Sequence, residues 1–231
     1  MKKISKLTVI TTLITLLPIV LGIALYDRLP DVVATHWGID NQPNGWSSKA
    51  MAAFGMPGIL ALINLVCSIA MEIYPDSPFV KVRPVSIKAV GGWEKENKLA
   101  DKVSPRLMWL CRWIIPVLSV ILLPVTLYSA LGVSFDMGRI GCSILGIMFI
   151  IIGNYLPKCR RNGVVGIKIP WTLSSDENWD KTHRFAGFVW IVCGAAAIVG
   201  GWTKPVVAIV ALVAMILLPV VYSGILKHKG I

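Results

Sequence analysis

Residues 153–190 read GNYLPKCRRNGVVGIKIPWTLSSDENWDKTHRFAGFVW, a polar and basic stretch between two long apolar runs. The flanking runs are close to the ~20 residues that an α-helix needs to cross the hydrocarbon core of a bilayer. A few residues are enough to join two such helices, so a long link rich in Asn, Arg, Trp and His needs a specific explanation. The stretch therefore predicts a functional loop between two membrane-spanning helices.

The composition of the whole chain agrees with a membrane protein. Its 231 residues are 55% hydrophobic and only 15% charged, with a mean hydropathy of +0.71, whereas soluble domains contain about 25% charged residues. Six apolar runs are long enough to span a bilayer. They are residues 7–26, 50–74, 109–131, 138–156, 185–202 and 205–226. We predict an all-α fold, a polytopic membrane helical bundle of about six transmembrane helices.

Positive charge is concentrated on one side of the predicted membrane. Most of the 23 Lys and Arg residues lie at the two termini and in the loops 75–108 and 157–184. The other side carries Arg28, Lys49, Arg139 and Lys204. Because cytoplasmic loops carry the excess of Lys and Arg, we expect both termini in the cytoplasm. The first apolar run is too long for a signal peptide and no small-residue cleavage motif follows it, so we expect a retained helix.

The net charge of +11 has two interpretations, contact with anionic lipid and contact with nucleic acid. The basic residues are divided among loops, and no recognition helix is evident, which favours membrane lipids as partners and argues against direct nucleic-acid binding. The five cysteines include no CxxC pair. They are interpreted as packing residues, and the sequence predicts no cofactor and no metal site.

Three parts of the chain are distinguished. Residues 1–74 contain the first two spans and an external loop, residues 75–108 form a basic cytoplasmic loop, and residues 109–231 form a four-span region with the loop described above.

The external loop reads LPDVVATHWGIDNQPNGWSSK, residues 29–49. Pro43, Asn44 and Gly45 predict a turn, and Ser47 and Ser48 are candidate caps of the second span. The loop has three interpretations: an interfacial loop whose Trp side chains rest at the headgroup level, a recognition surface for an extracellular hydrophobic molecule, or a metal site. Asp31, His36 and Asp40 fit no metal-ligand spacing. In the second interpretation, Trp37 and Trp46 are the contact anchors.

The basic stretch itself predicts local structure. Pro157 ends the fourth span, and Ser174 with Glu177 three residues later predicts a capping box that starts a helix. That helix places Trp179 and His183 on one face and leads into span five. His183 is titratable, but no nucleophile beside it and no HExxH motif are evident, so we expect a structural histidine and no enzyme.

Two motifs carry a resemblance to a known family. The stretch NYLPKCRRNGVVGIKIPWTLSSDENWDKTHRFAG resembles the signature of the SdpI family, and LPDVVATHWGIDNQPNGW resembles the amino-terminal module that commonly accompanies it. The resemblance implies a multi-pass protein of the bacterial cell membrane that gives immunity to a secreted, membrane-active peptide toxin. It also implies sensing of the toxin and sequestration of a cytoplasmic transcriptional repressor.

The resemblance also names residues. In the external loop, the candidate ligand-binding residues that it implies are His36, Trp37, Gly38, Pro43 and Trp46. The positions it implies for the cytoplasmic motif are Asn154, Pro157, Lys158, Asn162, Gly166, Pro170, Trp171, Thr172, Leu173, Trp179, Thr182, His183 and Arg184. Together with Arg160, whose charge suits phosphate groups at the cytoplasmic face, they are the residues that we expect to bind a partner. Asn44 stands where the amino-terminal module usually has Asp, and the 75–108 loop is an addition relative to a minimal member.

Two other functions compete with immunity. A small transporter or exporter of an amphipathic compound needs polar groups inside the membrane, and the candidates are Asn64, Glu72, Arg112 and Arg139. An intramembrane enzyme needs convergent titratable groups, and the sequence offers no recognisable constellation.

Overall fold

The computed structural model describes residues 4–73, 105–162 and 165–231. Within these residues, six helical segments are long and apolar enough to cross a membrane. They are Lys6–Arg28, Met51–Glu72, Met108–Ala130, Met137–Lys158, Asp176–Trp202 and Pro205–His228. The predicted all-α bundle of six transmembrane helices is confirmed. The helix of span five begins at Asp176, nine residues before the apolar run, because the polar stretch continues it toward the loop.

The chain divides into two compact units. Unit 1 consists of Met1–Glu72 and Trp109–Cys142, and unit 2 consists of Ile73–Met108 and Ser143–Ile231. The third span therefore belongs with the first two. The predicted cytoplasmic loop between the second and third spans, residues 75–108, lies almost wholly outside the described residues.

Unit 1 begins with a broken first span. Helix α1 (Lys6–Leu16) is capped by the Ser5 hydroxyl, which accepts from the Thr8 backbone N–H. Helix α2 (Pro18–Leu25) follows directly, because Pro18 has no N–H to continue the helical ladder. A Cβ on Gly22 of α2 would lie 2.8 Å from the Ala53 carbonyl, so glycine permits close approach to the start of the second span.

The second and third spans complete unit 1. The second span opens with a π-helical turn, Met51–Gly55, and continues as α3 (Met56–Ile73). Helix α4 (Pro105–Ala130) contains Pro116 and Pro124. Unit 1 also holds the first residues of α5 (Met137–Tyr155).

The external segment folds as a two-stranded antiparallel sheet, β1 (Val32–Trp37) and β2 (Pro43–Ser48), which we call the hairpin. The predicted turn at Pro43–Gly45 is wrong, because these residues lie in β2. The chain reverses at 38–42 instead, where the Gly38 N–H donates to the Gln42 carbonyl (2.8 Å) and Asn41 has φ 59°. Asn is one of the few residues that adopt this left-handed conformation at low cost, so the sequence held a second turn signal.

The hairpin rests on an apolar core. Val33 has no exposed surface, and it packs with residues from α2, the π-helical turn and α4. The buried members are Leu25, Leu29, Val33, Ala52, Ala53 and Leu127. Ser48 accepts from the Met51 N–H (3.3 Å) and so caps the second span as predicted, whereas the Ser47 hydroxyl points to the Ser48 carbonyl (3.4 Å).

The opposite half of unit 1 is held together by polar side chains, which we call the polar tract. Its members are Ser5, Thr8, Thr11 and Thr15 at the start of the chain, Asn64, Ser68 and Glu72 from α3, and Arg112 and Ser119 from α4. The spacing of three, four and seven residues places each set on one face of its helix.

Unit 2 contains the rest of α5, a 3₁₀ turn (Leu156–Lys158), α6 (Pro170–Ser174), α7 (Asp176–Trp202) and α8 (Pro205–His228). Glycines hold α5 and α7 together. A Cβ on Gly153 would lie 2.9 Å from the Gly187 carbonyl, and one on Gly194 would lie 2.7 Å from the Gly146 carbonyl. The two helices therefore approach as closely as their backbones allow, as small residues do in membrane bundles.

Candidate functional site

The basic loop (residues 156–175) is anchored to α7 by Trp179 and His183. Their rings stack with centroids 4.0 Å apart, and neither side chain is open to solvent. The His183 Nδ1 lies 2.8 Å from the Trp179 carbonyl, and His183 Nε2 accepts from the Ile167 N–H at 2.9 Å. This pattern fits a neutral imidazole with its proton on Nδ1. Both ring nitrogens are thus engaged by backbone, as we expect for a structural histidine.

Gly166 lies against the same two rings. Its φ is +127°, a conformation that residues with a side chain rarely adopt, and a Cβ there would lie 2.6 Å from His183 Nε2 and 2.8 Å from the Trp179 ring. Only glycine lets the chain pass here and present the Ile167 N–H to the imidazole.

The first part of the loop contains two buried residues, Cys159 and Asn162. The Trp179 indole N–H donates to the Cys159 carbonyl (2.7 Å). The Asn162 amide donates to the Arg160 carbonyl (2.7 Å) and accepts from the Val165 N–H (2.8 Å). Asn162 therefore substitutes for backbone partners across the bend, as Asn commonly does in turns.

Thr172 does the same for the following segment. Its hydroxyl accepts from the Ile169 N–H (3.1 Å) and lies 2.7 Å from the Ile167 carbonyl, to which it can donate. The Thr172 side chain is buried, so it fixes the approach of the chain to α6.

The predicted capping box of Ser174 and Glu177 is wrong by one residue. Ser175 is the cap, with extended backbone and a hydroxyl that accepts from the Asn178 N–H (3.2 Å). Ser174 instead ends α6, donating to the Trp171 carbonyl (3.1 Å). The sequence analysis did not predict the short helix α6, and Ser174, the predicted cap, is the last residue of that helix.

A second buried network joins α7 to α8. Asn178 Oδ1 accepts from the Ser223 hydroxyl (2.7 Å) and the Thr182 hydroxyl (3.1 Å), and its amide group donates to the Ser223 carbonyl (3.1 Å). All three side chains are fully buried. Thr182 belongs to the motif, but Asn178 and Ser223 were missed. Asn178 lies in a polar stretch where nothing in the sequence marks it as buried, and Ser223 lies in an apolar run where nothing marks its bond to Asn178.

The remaining motif residues divide by exposure. Leu173, Gly166 and Trp171 are half-buried, and the Lys227 ammonium lies 5.0 Å from the centre of the Trp171 ring. The exposed members are Asn154, Pro157, Lys158, Arg160, Pro170 and Arg184. The motif thus combines an internally bonded framework with a surface that carries three cations.

The side chain of Arg161, a third cation of the loop beside Lys158 and Arg160, forms contacts within unit 2. Its guanidinium bonds the Asp176 carboxylate (2.5 Å) and the Leu173 carbonyl (2.5 Å). It therefore ties the loop to the first turn of α7 and leaves the free positive charge to its neighbours.

The hairpin brings together a different set of residues. His36 Nδ1 lies 2.5 Å from Asn44 Oδ1, across the two strands. A Cβ on Gly45 would lie 2.9 Å from the His36 Cβ, so glycine is required opposite this histidine. A Cβ on Gly38 would lie 2.6 Å from the Asp40 carboxylate, which is the end of a flexible side chain and can move aside.

The predicted ligand-binding residues are largely open to the surroundings. His36 and Pro43 are exposed, Trp37 and Gly38 are half-buried, and Trp46 keeps 59% of its surface exposed. Trp46 pairs with Ala34 across the sheet, next to the exposed Val32. These side chains form an apolar face opposite to Val33, which points into the core.

The acidic and histidine side chains weighed as metal ligands have separate partners. Asp31 forms an ion pair with Lys49 (2.9 Å), and Asp40 accepts from the Gln42 N–H (3.1 Å). The hydrogen bond and positive charge of Lys49 lower the pKa of Asp31, and the Asp31 carboxylate raises the pKa of Lys49. Within residues 4–73, 105–162 and 165–231, no group of three His, Cys, Asp or Glu side chains is placed to hold a metal ion.

The intramembrane polar residues also find partners. The four candidates from the sequence include Arg112, which pairs with Glu72 (3.3 Å), and Arg139, which pairs with Asp136 (2.8 Å). Asn64 lies 3.2 Å from the hydroxyls of Thr11 and Thr12. The sequence identified three members of the polar tract but not the hydroxyl groups of α1 that surround them.

Comparison with known proteins covers nearly the whole chain. Residues 158–223 match the SdpI/YfhL protein family, and residues 13–61 match a domain of unknown function, DUF1648. The chain is 26% identical over 223 residues to "Immunity protein SdpI" of Bacillus subtilis (strain 168), covering 96% of this chain and 95% of that protein. No solved structure matches the chain.

Proposed function

We propose that this multi-pass bacterial membrane protein, whose residues 158–223 match the SdpI/YfhL protein family, is an immunity protein that neutralises a secreted, membrane-active peptide toxin. The observation that carries the proposal is the end-to-end similarity to a protein named for immunity, which includes the hairpin, the spans and the basic loop. A binding function also fits the loop chemistry, because the one histidine of the motif is held by backbone on both ring nitrogens.

The toxin-binding surface in this proposal is the exposed face of the hairpin. An amphipathic or apolar peptide near the membrane would contact Trp46 and Val32, with Trp37, His36, Gly38 and Pro43 around them. Aromatic side chains dominate the energetics of binding surfaces since they bury much area with little loss of side-chain entropy. The buried Val33 holds this face on the apolar core of unit 1.

The basic loop is the proposed contact for a cytoplasmic partner, a transcriptional repressor held at the membrane. The residues that can reach such a partner are the exposed cations Lys158, Arg160 and Arg184. The buried motif residues would act by holding these cations in place. Membrane lipids with anionic headgroups are an additional partner of the same cations.

This arrangement requires both termini and the basic loop on the cytoplasmic side and the hairpin outside. The excess of Lys and Arg in the predicted cytoplasmic segments supports that orientation. Reporter fusions at the carboxyl terminus, one active only in the cytoplasm and one only outside, test it. Activity of the external reporter would contradict the proposed topology.

The proposal is tested by survival. A toxin-sensitive bacterium that expresses this protein should grow in peptide concentrations that stop growth of cells with the empty vector. Trp171→Ala, at equal membrane abundance, tests whether protection needs the basic loop. If the wild-type protein gives no protection against a panel of secreted, membrane-active peptides, the immunity proposal fails.

Signalling is tested separately from protection. Arg160→Ala with Arg184→Ala removes exposed charge without touching the buried framework. If the basic loop holds a repressor, this variant should still protect cells while losing membrane recruitment of the repressor. Unchanged recruitment would remove the loop from the signalling proposal without affecting the immunity proposal.

The polar tract supports a second candidate, a small transporter or exporter of an amphipathic compound. Asn64 and the hydroxyls near it are buried inside the spans of unit 1, and intramembrane polar groups often mark substrate pathways. Vesicle uptake that is abolished by Asn64→Leu, with the protein still folded, would favour transport. Uptake that is unaffected by Asn64→Leu would argue against transport through the polar tract.

A further inference from the structure

The polar tract of unit 1 is closed at one end by an ion pair. The Glu72 carboxylate accepts from the Ser5 hydroxyl (2.5 Å), the Ser5 N–H (3.3 Å) and the Thr8 hydroxyl, and it pairs with Arg112 Nη1 (3.3 Å). Arg112 also donates to the Ser5 hydroxyl (3.2 Å). This one carboxylate therefore joins α3 to α4 and to the amino end of α1, where the helix dipole favours negative charge.

Behind this ion pair, buried hydroxyls continue toward the middle of the unit. Thr8, Thr11, Thr15, Ser68 and Ser119 are each at most 1% exposed. The Ser119 hydroxyl donates to the Thr15 carbonyl (2.8 Å), linking α4 to α1. Beyond Thr15 and Ser119, the first and third spans lead to the apolar core that carries the hairpin. Unit 1 thus has buried polar groups along the tract, an ion pair at one end of the tract, and the apolar core beyond its other end.

The ion pair is not fully satisfied. The Arg112 side chain is only 10% exposed, yet its Nε has no hydrogen-bond partner among the described residues, and the same is true of the neighbouring Trp113 indole N–H. Buried polar groups without partners reduce the stability of the closed arrangement. Both donors would gain water as a partner if the end of the tract opened, and this gain offsets part of the cost of opening.

In each of the three spans of unit 1, the regular α-helical hydrogen bonding is interrupted between the tract and the hairpin. The first span breaks at Pro18, the second begins with the π-helical turn Met51–Gly55, and α4 contains Pro124 between Ser119 and Leu127. Such breaks are the usual sites of bending in helices. They allow the tract end to move while the apolar core keeps its packing.

We propose that the Glu72–Arg112 pair is a latch that keeps the tract end of unit 1 closed. Release of the latch separates the start of α1 from α3 and α4 and admits water to the buried hydroxyls. The apolar core under the hairpin stays closed and prevents a continuous path. The device is independent of whether the ligand is a toxin or a transported compound.

Hydrogen–deuterium exchange of the protein in lipid nanodiscs tests the latch. Glu72→Gln should raise exchange in peptides from residues 5–16 and 64–73 by about tenfold or more, since each ~1.4 kcal/mol lost from the closed state raises the open population tenfold. Peptides from α2 and α8 should keep wild-type rates. Glu177→Gln is the matched control, because Glu177 pairs with Lys181 (2.7 Å) on an exposed helix surface.

Three further variants keep the test decisive. Arg112→Gln should accelerate the same peptides, and the double variant should be no faster than the faster single one, because both changes remove one contact. If Glu72→Gln does not accumulate, Ser5→Ala removes one partner of the carboxylate and should give a smaller rise in the same peptides. Unchanged exchange at α1, or an equal rise in α2, would overturn the latch.

Discussion

The hairpin and the basic loop use their motif residues in opposite ways. In the basic loop and the start of α7, the motif residues Asn162, Thr172, Trp179 and His183 are buried, and their polar atoms bond to the backbone of the loop or of α7. In the hairpin, Trp46 and His36 stay exposed on a sheet that rests on an apolar core. A distinctive motif can thus encode either a scaffold or a surface, and only the burial of its members separates the two.

The largest effect should follow removal of the stacked tryptophan. Trp179→Ala leaves a cavity beside His183 and deprives the Cys159 carbonyl of its donor, a change expected to destabilise unit 2 by about 3–5 kcal/mol. Thermal unfolding in detergent should show a large decrease in the midpoint. Trp46→Ala is the matched control, and an equal decrease there would erase the proposed difference between the two regions.

A nearly as large effect is expected at Gly166. Gly166→Ala adds a Cβ into the His183 and Trp179 rings at a backbone conformation that alanine disfavours, which should cost about 1–3 kcal/mol from backbone strain alone. Gly58→Ala is the control, because a Cβ at that helical position meets nothing within 4 Å. A wild-type midpoint for Gly166→Ala would show that the loop does not need this close passage.

A smaller effect is expected across the strands of the hairpin. Asn44→Ala removes the partner of His36, and a neutral hydrogen bond of this kind contributes about 1 kcal/mol or less when exposed. The unfolding midpoint should hardly change, while peptide binding at the hairpin should weaken if His36 must be held in place. Asn44→Asp, the residue usual in the related module, should preserve binding.

The smallest effect concerns the ion pair at the base of the hairpin. The pKa of Asp31 is lowered by Lys49, so the contribution of Asp31 to stability is present above its unfolded-state pKa and is lost as the pH falls through the lowered folded value, below about 4. The raised pKa of Lys49 places the corresponding loss on the basic side, above about 10. Asp31 is exposed and Lys49 is only half-buried, so the wild type and Asp31→Asn should differ slightly in unfolding midpoint at pH 7 and converge in acid. A difference that grows in acid would contradict the assignment.

The sequence predicted the spans well and the loops only in part. Apolar runs of membrane length carry a strong signal, so all six spans were expected near their observed positions. The hairpin was missed because Pro43, Asn44 and Gly45 form a turn signal that cross-strand contacts override. The Gly45 position is in fact selected by the His36 side chain opposite to it, which is a tertiary reason.

The same limit applies to the candidate sites. The sequence placed Trp179 and His183 on one face of a helix, and the structure confirms it. It did not separate residues that bond internally from residues that face outward, because both kinds are polar or aromatic. The networks of Asn178 with Ser223 and of Glu72 with Ser5 join segments 45 and 67 residues apart, and no local pattern reports such contacts.

The most direct test compares protection and folding in two variants, Trp46→Ala and Trp179→Ala, expressed in a bacterium sensitive to a secreted, membrane-active peptide. Membrane abundance, unfolding midpoint and survival are measured for each. We predict that Trp46→Ala keeps wild-type abundance and midpoint but loses protection, whereas Trp179→Ala loses protection together with its folded protein. Full protection by Trp46→Ala at wild-type abundance would contradict the hairpin as the toxin-binding surface.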